Sequence, residues 1–125
     1  MNSHCPKGEL YARGPSRVFL GDAREVAFPL GGIGTGNFSI GARGELRDWE
    51  IFNSSGKGNF LPYTFFAIWA KPKGEQPTVK ILESWIPPSY SGSHGFSPGE
   101  VAGLPRLDTS SLKGEYPFVW VDFKD

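Results

Sequence analysis

The 125-residue chain balances 13 lysines and arginines against 13 aspartates and glutamates, so its formal net charge is zero and no basic patch is available for nucleic acid. The single cysteine, Cys5, excludes an internal disulfide. The longest apolar run, FLPYTFFAIWA, is interrupted by Pro62 and is much shorter than the about 20 residues that span a bilayer. We therefore expect a soluble, cytoplasmic protein without a transmembrane segment.

An all-β protein is predicted, because 17 glycines and 11 prolines separate short runs that are rich in aromatic residues. After a polar N-terminal stretch, residues 17–20 form a possible short strand. Residues 33–41 and 45–52 are predicted as two strands of a hairpin, in which Gly44 adopts a positive φ. A loop over 53–59 follows.

The next predicted strand, 63–71, is apolar on both faces, which is typical of a strand in the middle of a layered structure. A turn and a strand over 78–85 come next. Pro, Gly or Ser then occupies 15 of the 28 positions in 87–114, which predicts a long loop. Residues 116–124 are again apolar on both faces. Because the sequence ends directly after this strand, we expect a fragment of a larger domain.

The glycine run FPLGGIGTGN, residues 28–37, resembles a phosphate-binding loop in composition but not in spacing. A dinucleotide motif G-x-G-x-x-G that starts at Gly32 has Asn37 in place of its third glycine. One that starts at Gly34 has Ser39 there. A P-loop that starts at Gly31 lacks the required Lys and Ser or Thr after Gly36. The residues that follow alternate as in a strand rather than a helix, so the sequence favours a role in backbone geometry.

Three carboxylates in the predicted hairpin, Glu45, Asp48 and Glu50, are the candidates for acid–base chemistry. On a regular strand Asp48 and Glu50 lie side by side, about 6.8 Å apart at their Cα atoms. Glycoside hydrolysis instead needs two carboxyl groups that face each other across a sugar ring, about 5 to 9.5 Å apart. We therefore expect a solvated or ion-paired face that includes Arg47.

No metal site or activated nucleophile is predicted. His4, His94 and Cys5 do not form a recognisable zinc-binding pattern, and no G-x-S-x-G motif is present. The four tryptophans offer a possible sugar-stacking platform. Trp69 and Trp120 are expected in the core because they lie in doubly apolar strands, whereas for Trp49 and Trp85 both core and surface roles remain open.

The run FPLGGIGTGNFSIGARGELRDWEIFN, residues 28–53, resembles the N-terminal domain of glycoside hydrolase family 116, which includes bacterial β-glucosidases and non-lysosomal glucosylceramidases. GLPRL (103–107) and EYPFVWVDFKD (115–125) are similar to later blocks of that domain. The resemblance implies a partial N-terminal β-sandwich domain over 26–125 and does not cover the polar segment over 1–25. It also implies that this domain packs against a C-terminal (α/α)₆ catalytic barrel.

The same resemblance implies a retaining mechanism without metal or cofactor, in which both catalytic carboxylates belong to the barrel. No position here matches them, so no catalytic, cofactor-binding or metal residue is assigned, and the chain alone is expected to be inactive. The glycines Gly31, Gly32, Gly34 and Gly36 are then expected to allow tight turns at a domain junction. A free-standing β-module remains the alternative, binding carbohydrate through Trp49 or Trp85, or binding another protein.

Overall fold

The computed structural model describes Gly8 and residues 14–86 and 103–125. Residues 14–86 and 103–125 contain no helix, which confirms the all-β prediction. Eight strands form three small antiparallel sheets. Their bounds are β1 (Val18–Leu20), β2 (Ala27–Gly32), β3 (Gly36–Gly41), β4 (Leu46–Glu50), β5 (Ala67–Ala70), β6 (Thr78–Ile81), β7 (Thr109–Glu115) and β8 (Phe118–Lys124).

The first sheet, β2-β3-β4, is a meander built around the glycine run. The predicted hairpin between β3 and β4 is confirmed: Gly44 has a φ of 90°, and its N–H donates to the carbonyl of Gly41 at 3.0 Å. Strand β2 was not predicted, because Pro29 and two glycines weaken its strand pattern. Pro29 is tolerated since β2 is an edge strand, where a missing N–H leaves no ladder bond unmade.

The second sheet has the order β1-β7-β8, with Leu112 of β7 at its centre. Leu112 pairs with Phe19 on one side and Val121 on the other and is almost fully buried. Strand β7 corrects the predicted loop over 87–114, whose residues from 109 onward belong to the sheet. Buried Ser110 and Leu112 alternate there with more exposed neighbours, although serine masks this pattern in the sequence. Residues 87–102 of the predicted loop lie outside the described part of the chain.

The third sheet is the two-stranded hairpin β5-β6. The expectation that residues 63–71 are buried on both faces is wrong, since every residue of β5 is exposed. Strand β8 likewise differs from its prediction, because exposed residues alternate with half-buried ones along it. In both cases the apolar sequence is present, but the described part of the chain supplies no second layer to cover it.

The interior is more polar than apolar among the described residues. Four hydrophobic residues are buried: Ala42, Leu46, Ile81 and Leu112. Eight buried residues are polar or charged, and five of those carry a formal charge. Charged side chains are rarely buried unless they are paired, so the centre of this fold depends on ion pairs and hydrogen bonds. No helix in the described residues is long and apolar enough to span a bilayer.

Candidate functional site

Six charged side chains converge where the β3-β4 hairpin meets the segments after β6 and before β7. We call them the buried ionic cluster: Arg43, Glu45, Arg47, Asp48, Glu83 and Arg106. Each of these side chains is less than 10% exposed. Three arginines balance three carboxylates, so the cluster has no formal net charge. This balance limits the cost of removing the six groups from water.

Glu83 joins two parts of the chain that are distant in sequence. One of its carboxylate oxygens lies 3.3 Å from Nε of Arg106 and 3.8 Å from Nη1 of Arg43. The backbone follows the same path, because Ser84 N–H donates to the carbonyl of Arg43 at 2.9 Å. A parallel bridge then pairs Ser84 with Leu107. Glu83 therefore fixes the β3-β4 turn to the segment that enters β7.

Glu45 lies at the turn between the arginines of the hairpin. Its Oε2 accepts a hydrogen bond from Arg43 N–H at 3.1 Å, and its Oε1 lies 3.8 Å from Nη1 of Arg47. Burial raises the pKa of Glu45 above its ordinary value, while the positive charges of Arg43 and Arg47 act in the opposite direction. The loss of hydration is the larger effect, so this carboxyl holds its proton more tightly than it does in water.

Asp48 and Glu50 do not lie side by side as regular strand geometry predicts. The β3-β4 register shifts between Asn37 and Ser39, and Asp48 has a φ of 54°, so the alternation of β4 is broken. Buried Asp48 accepts a hydrogen bond from Gly58 N–H at 2.6 Å and lies 3.7 Å from Nε of Arg47. The ion-paired arrangement that was expected for this carboxylate is thus present, but in a buried rather than a solvated form.

Glu50 lies instead at the edge of a cleft. The Asn37 side-chain amide donates to its Oε2 at 2.9 Å, and Nζ of Lys57 lies 3.4 Å from its Oε1. The Asn37 hydrogen bond and, to a smaller extent, the Lys57 charge lower the pKa of Glu50. Among the described residues that line this cleft, no second carboxylate faces Glu50 as glycoside hydrolysis requires.

The cleft beside Glu50, about 680 Å³ in volume, lies between the glycine run and the segment after β4. Gly34 and Gly36 both have a φ of 79°, a left-handed conformation that favours glycine. At Gly36 a Cβ atom would also lie 2.9 Å from the carbonyl oxygen of Glu50. The glycines therefore permit a tight turn, and at Gly36 they also permit the close approach of the segment after β4.

The solvent exposure of the tryptophans differs from the sequence prediction. Trp49 is half-buried and stacks on Phe38, with ring centroids 5.0 Å apart. Trp69 and Trp120, which were expected in the core, are 64% and 46% exposed. Trp85 is also exposed, at 66%, and lines a second cleft. The core assignment of Trp69 and Trp120 is wrong because the described residues supply no layer over β5 or over the outer face of β8.

The glycine-run turn, the β3-β4 hairpin and the strands that follow are shared with one protein family. A family model described as beta-glucosidase 2, glycosyl-hydrolase family 116 N-term, matches residues 27–125. The chain belongs to this family. The match confirms the resemblance that was drawn from residues 28–53 and from the two later blocks. No curated protein matches the chain.

In this family 116 N-terminal domain, the sequence candidates do not assemble into a single site. His4, Cys5 and His94 lie outside the described residues, and in the described ranges no three His, Cys, Asp or Glu side chains are placed so that they could hold a metal ion. The sequence also gave no indication that Glu83 and Arg106 join the hairpin charges. No local pattern in the sequence indicates that the segments containing Glu83 and Arg106 meet the hairpin.

Proposed function

We propose that this chain is the non-catalytic N-terminal β-sandwich segment of a retaining β-glucosidase or glucosylceramidase. In this role it supports a catalytic (α/α)₆ barrel that hydrolyses terminal β-glucosyl bonds, with sphingolipid glucosides among the candidate substrates. The observation that carries the proposal is the family match over residues 27–125. A cytoplasmic location belongs to the same proposal and rests on the single cysteine of the chain.

The exposed apolar side chains favour a role in which this domain packs against the barrel. Ile68 and Trp69 are adjacent on β5 and therefore point to opposite faces, yet both are exposed. Phe118 on β8 is 65% exposed. Large apolar side chains exposed on both faces of one strand and on a second sheet favour a domain that another domain covers. The barrel of the same protein is the partner that the family offers.

The engagement of the carboxylates supports a non-catalytic role. Glu45 and Asp48 are buried against arginines and backbone N–H groups, and Glu50 is bonded to Asn37 and Lys57. A general acid or base must reach the proton that it transfers, within about 3.2 Å of the reacting atom or through one water. Side chains committed in this way act on the fold rather than on a glycosidic bond.

The proposal is tested in a protein that joins this chain to a family 116 catalytic barrel, called the two-domain protein below. We expect Asp48→Asn and Glu50→Gln each to leave kcat for a nitrophenyl β-glucoside within about tenfold of the parent, whereas loss of a catalytic acid or base costs about 10²- to 10⁴-fold. Lys73→Gln, in the exposed turn before β6, is the control. A loss above a hundredfold with an unchanged melting temperature would place either carboxylate in the reaction.

A further inference from the structure

A second cleft, about 300 Å³ in volume, opens where β1 and β7 meet the bridge between Ser84 and Leu107. We call it the Trp85 cleft. Its lining consists of Leu20, Gly21, Asp22, Ser84, Trp85, Asp108, Thr109 and Ser110. Its volume lies at the lower end of the range that small-molecule sites occupy, about 300 to 1,000 Å³. The cleft therefore suits a single small ring rather than an extended ligand.

The floor of the Trp85 cleft is closely packed over two buried serine hydroxyls. A Cβ atom at Gly21 would lie 2.7 Å from Oγ of Ser110 and 2.8 Å from Oγ of Ser84, so a side chain there would displace these hydroxyls. The two serine hydroxyls are 2.7 Å apart, and Ser110 Oγ donates to the carbonyl of Ala42 at 2.8 Å. Gly21 N–H donates to the carbonyl of Ser110 at 3.0 Å. These contacts fix the floor before any ligand binds.

One wall is the indole of Trp85, which is 66% exposed. Its backbone is held in place, because Trp85 N–H donates to the carbonyl of Leu107 at 3.1 Å. The parallel pairing of Ser84 with Leu107 also sets Asp108 next to Trp85 across the bridge. An aromatic side chain that is exposed on an anchored backbone presents a flat apolar face at little entropic cost, since only two side-chain torsions remain free.

The rim carries two exposed carboxylates, those of Asp22 and Asp108. Neither side chain has a hydrogen bond or ion pair with the part of the chain that the structure describes. This separates them from Glu45, Asp48 and Glu83, whose oxygens are engaged by arginines. Each free carboxylate can accept several hydrogen bonds, including two from neighbouring hydroxyl groups.

An aromatic face beside carboxylate acceptors matches a pyranose ring, which has an apolar C–H face and hydroxyl donors around its edge. We propose that the Trp85 cleft binds one neutral hexopyranose unit, with the ring stacked on Trp85 and its hydroxyls donating to Asp22 and Asp108. Two carboxylates fall short of the donor set that a divalent cation requires, about six oxygens for Ca²⁺ or Mg²⁺. The inference stands on residues of this chain, so it does not require that the barrel proposal be correct.

Saturation-transfer NMR with methyl β-D-glucopyranoside tests the proposal, because it reports ligand contact with monomers and soluble oligomers alike. We expect transfer to the pyranose C–H protons in the 125-residue chain. Trp85→Ala should abolish it, Trp85→Phe should restore it in part, and Asp108→Asn should weaken binding at least tenfold. The matched control is Trp69→Ala, which removes an equally exposed indole from β5 and should leave the signal unchanged.

Circular dichroism of each variant shows whether its sheets are retained, and the mild Asp108→Asn change keeps the test valid if Trp85→Ala does not fold. Equal signals from Trp85→Ala and the unchanged chain would overturn the location. Transfer to tetramethylammonium but not to the glucoside would overturn the ligand class in favour of a cation. Absence of transfer to either probe would also overturn the proposal. None of these results depends on turnover by the two-domain protein, so the two proposals fail separately.

Discussion

The two glycines of the β2-β3 turn share one backbone conformation but differ in their surroundings. Gly34 and Gly36 both have a φ of 79°. No atom lies within 4 Å of a Cβ placed at Gly34, whereas one placed at Gly36 meets the carbonyl oxygen of Glu50. Conformational strain acts at both positions, and a steric clash with backbone acts only at Gly36. The pair therefore separates these two effects within a single turn.

We predict that Gly34→Ala lowers the opening free energy of the β3-β4 sheet by about 1 kcal/mol, and Gly36→Ala by about 3 kcal/mol because β4 must also move. Amide hydrogen exchange in the two-domain protein measures both values. If the turn served ligand binding instead, these variants would lose substrate affinity while exchange stayed unchanged. Equal effects at the two positions would show that the contact with Glu50 has no energetic weight.

Glu45 gives the domain a dependence on pH that is opposite to that of an ordinary salt-bridged carboxylate. Burial raises its pKa in the folded chain above the ordinary value of 4.5. The folded state then binds the proton more tightly than the unfolded state does. The stability contributed by this group is therefore fully present below pH 4.5 and is lost as the pH rises through the folded pKa.

Glu45→Gln should remove this dependence. We predict that the opening free energy of the sheet falls between pH 4.5 and 8 in the parent and falls less steeply in Glu45→Gln. The difference between the two slopes isolates Glu45 from other titrating groups. Glu50→Gln is the control, because the lowered pKa of Glu50 places its stabilising effect above 4.5 and its loss at lower pH. Parallel slopes would contradict a raised pKa at Glu45.

At the scale of elements, Glu83 is the connection between the β3-β4 hairpin and the entry to β7. Removing its charge leaves Arg43 and Arg106 buried without their shared counter-ion. Loss of one partner of a buried pair costs about 3 to 5 kcal/mol, whereas an exposed pair is worth at most about 1 kcal/mol. Glu83→Gln should therefore be strongly destabilising, while Lys57→Met, which removes an exposed partner of Glu50, should have little effect.

A double-mutant cycle with Arg106→Met measures the coupling directly. We predict that the Glu83→Gln and Arg106→Met effects are not additive and differ from their sum by more than about 1 kcal/mol. Hydrogen exchange at residues 84–86 and 107–112 reports whether the bridge opens with the pair. Additive effects would mean that the 3.3 Å contact between Glu83 and Arg106 carries no net interaction.

Local chemistry explains which elements the sequence predicts. The hairpin at Gly44 could be predicted from the sequence, because the tolerance of glycine for a positive φ depends only on that residue and its turn. Strands β2 and β7 were not predicted since Pro29 and the serines of β7 are poor strand formers, and pairing with β3 and β8 overrides that preference. The alternation of apolar and polar residues therefore identified the strands whose residues have a high intrinsic preference for strand structure.

The ionic cluster and the Trp85 cleft were beyond sequence analysis for another reason. Glu83 and Arg106 are 23 residues apart, and Ser84 and Ser110 are 26 apart. Neither pair has a periodicity or motif that links its members. The carboxylates Glu45, Asp48 and Glu50 were found because they are close in sequence, but the partners of Asp48 and Glu50 depend on the bulge in β4 and on the loop that contains Lys57 and Gly58.

At the scale of the whole molecule, exposed hydrophobic side chains outnumber buried ones in the described part of the chain. Among the described residues, four hydrophobic side chains are buried and fifteen large ones are exposed. The β5-β6 hairpin is the extreme case, since a two-stranded hairpin is at best marginally stable in water and every residue of β5 is exposed. We therefore expect the domain to depend on a covering partner for part of its stability.

We predict that the 125-residue chain alone binds a hydrophobic dye strongly and forms soluble oligomers, because exposed apolar area beside open strand edges promotes association between copies. It should release no nitrophenol from a nitrophenyl β-glucoside, whereas the two-domain protein should be monodisperse, bind little dye and turn the substrate over. Trp69→Glu in the two-domain protein should restore dye binding and lower thermal stability if the barrel covers β5, whereas Lys73→Glu in the neighbouring turn should do neither.

A monodisperse 125-residue monomer that binds no dye and melts cooperatively would contradict the need for a covering partner. Turnover by that monomer would contradict the assignment of catalysis to the barrel, because Asp48 and Glu50 of β4 are already bonded to arginine, lysine, asparagine or backbone groups.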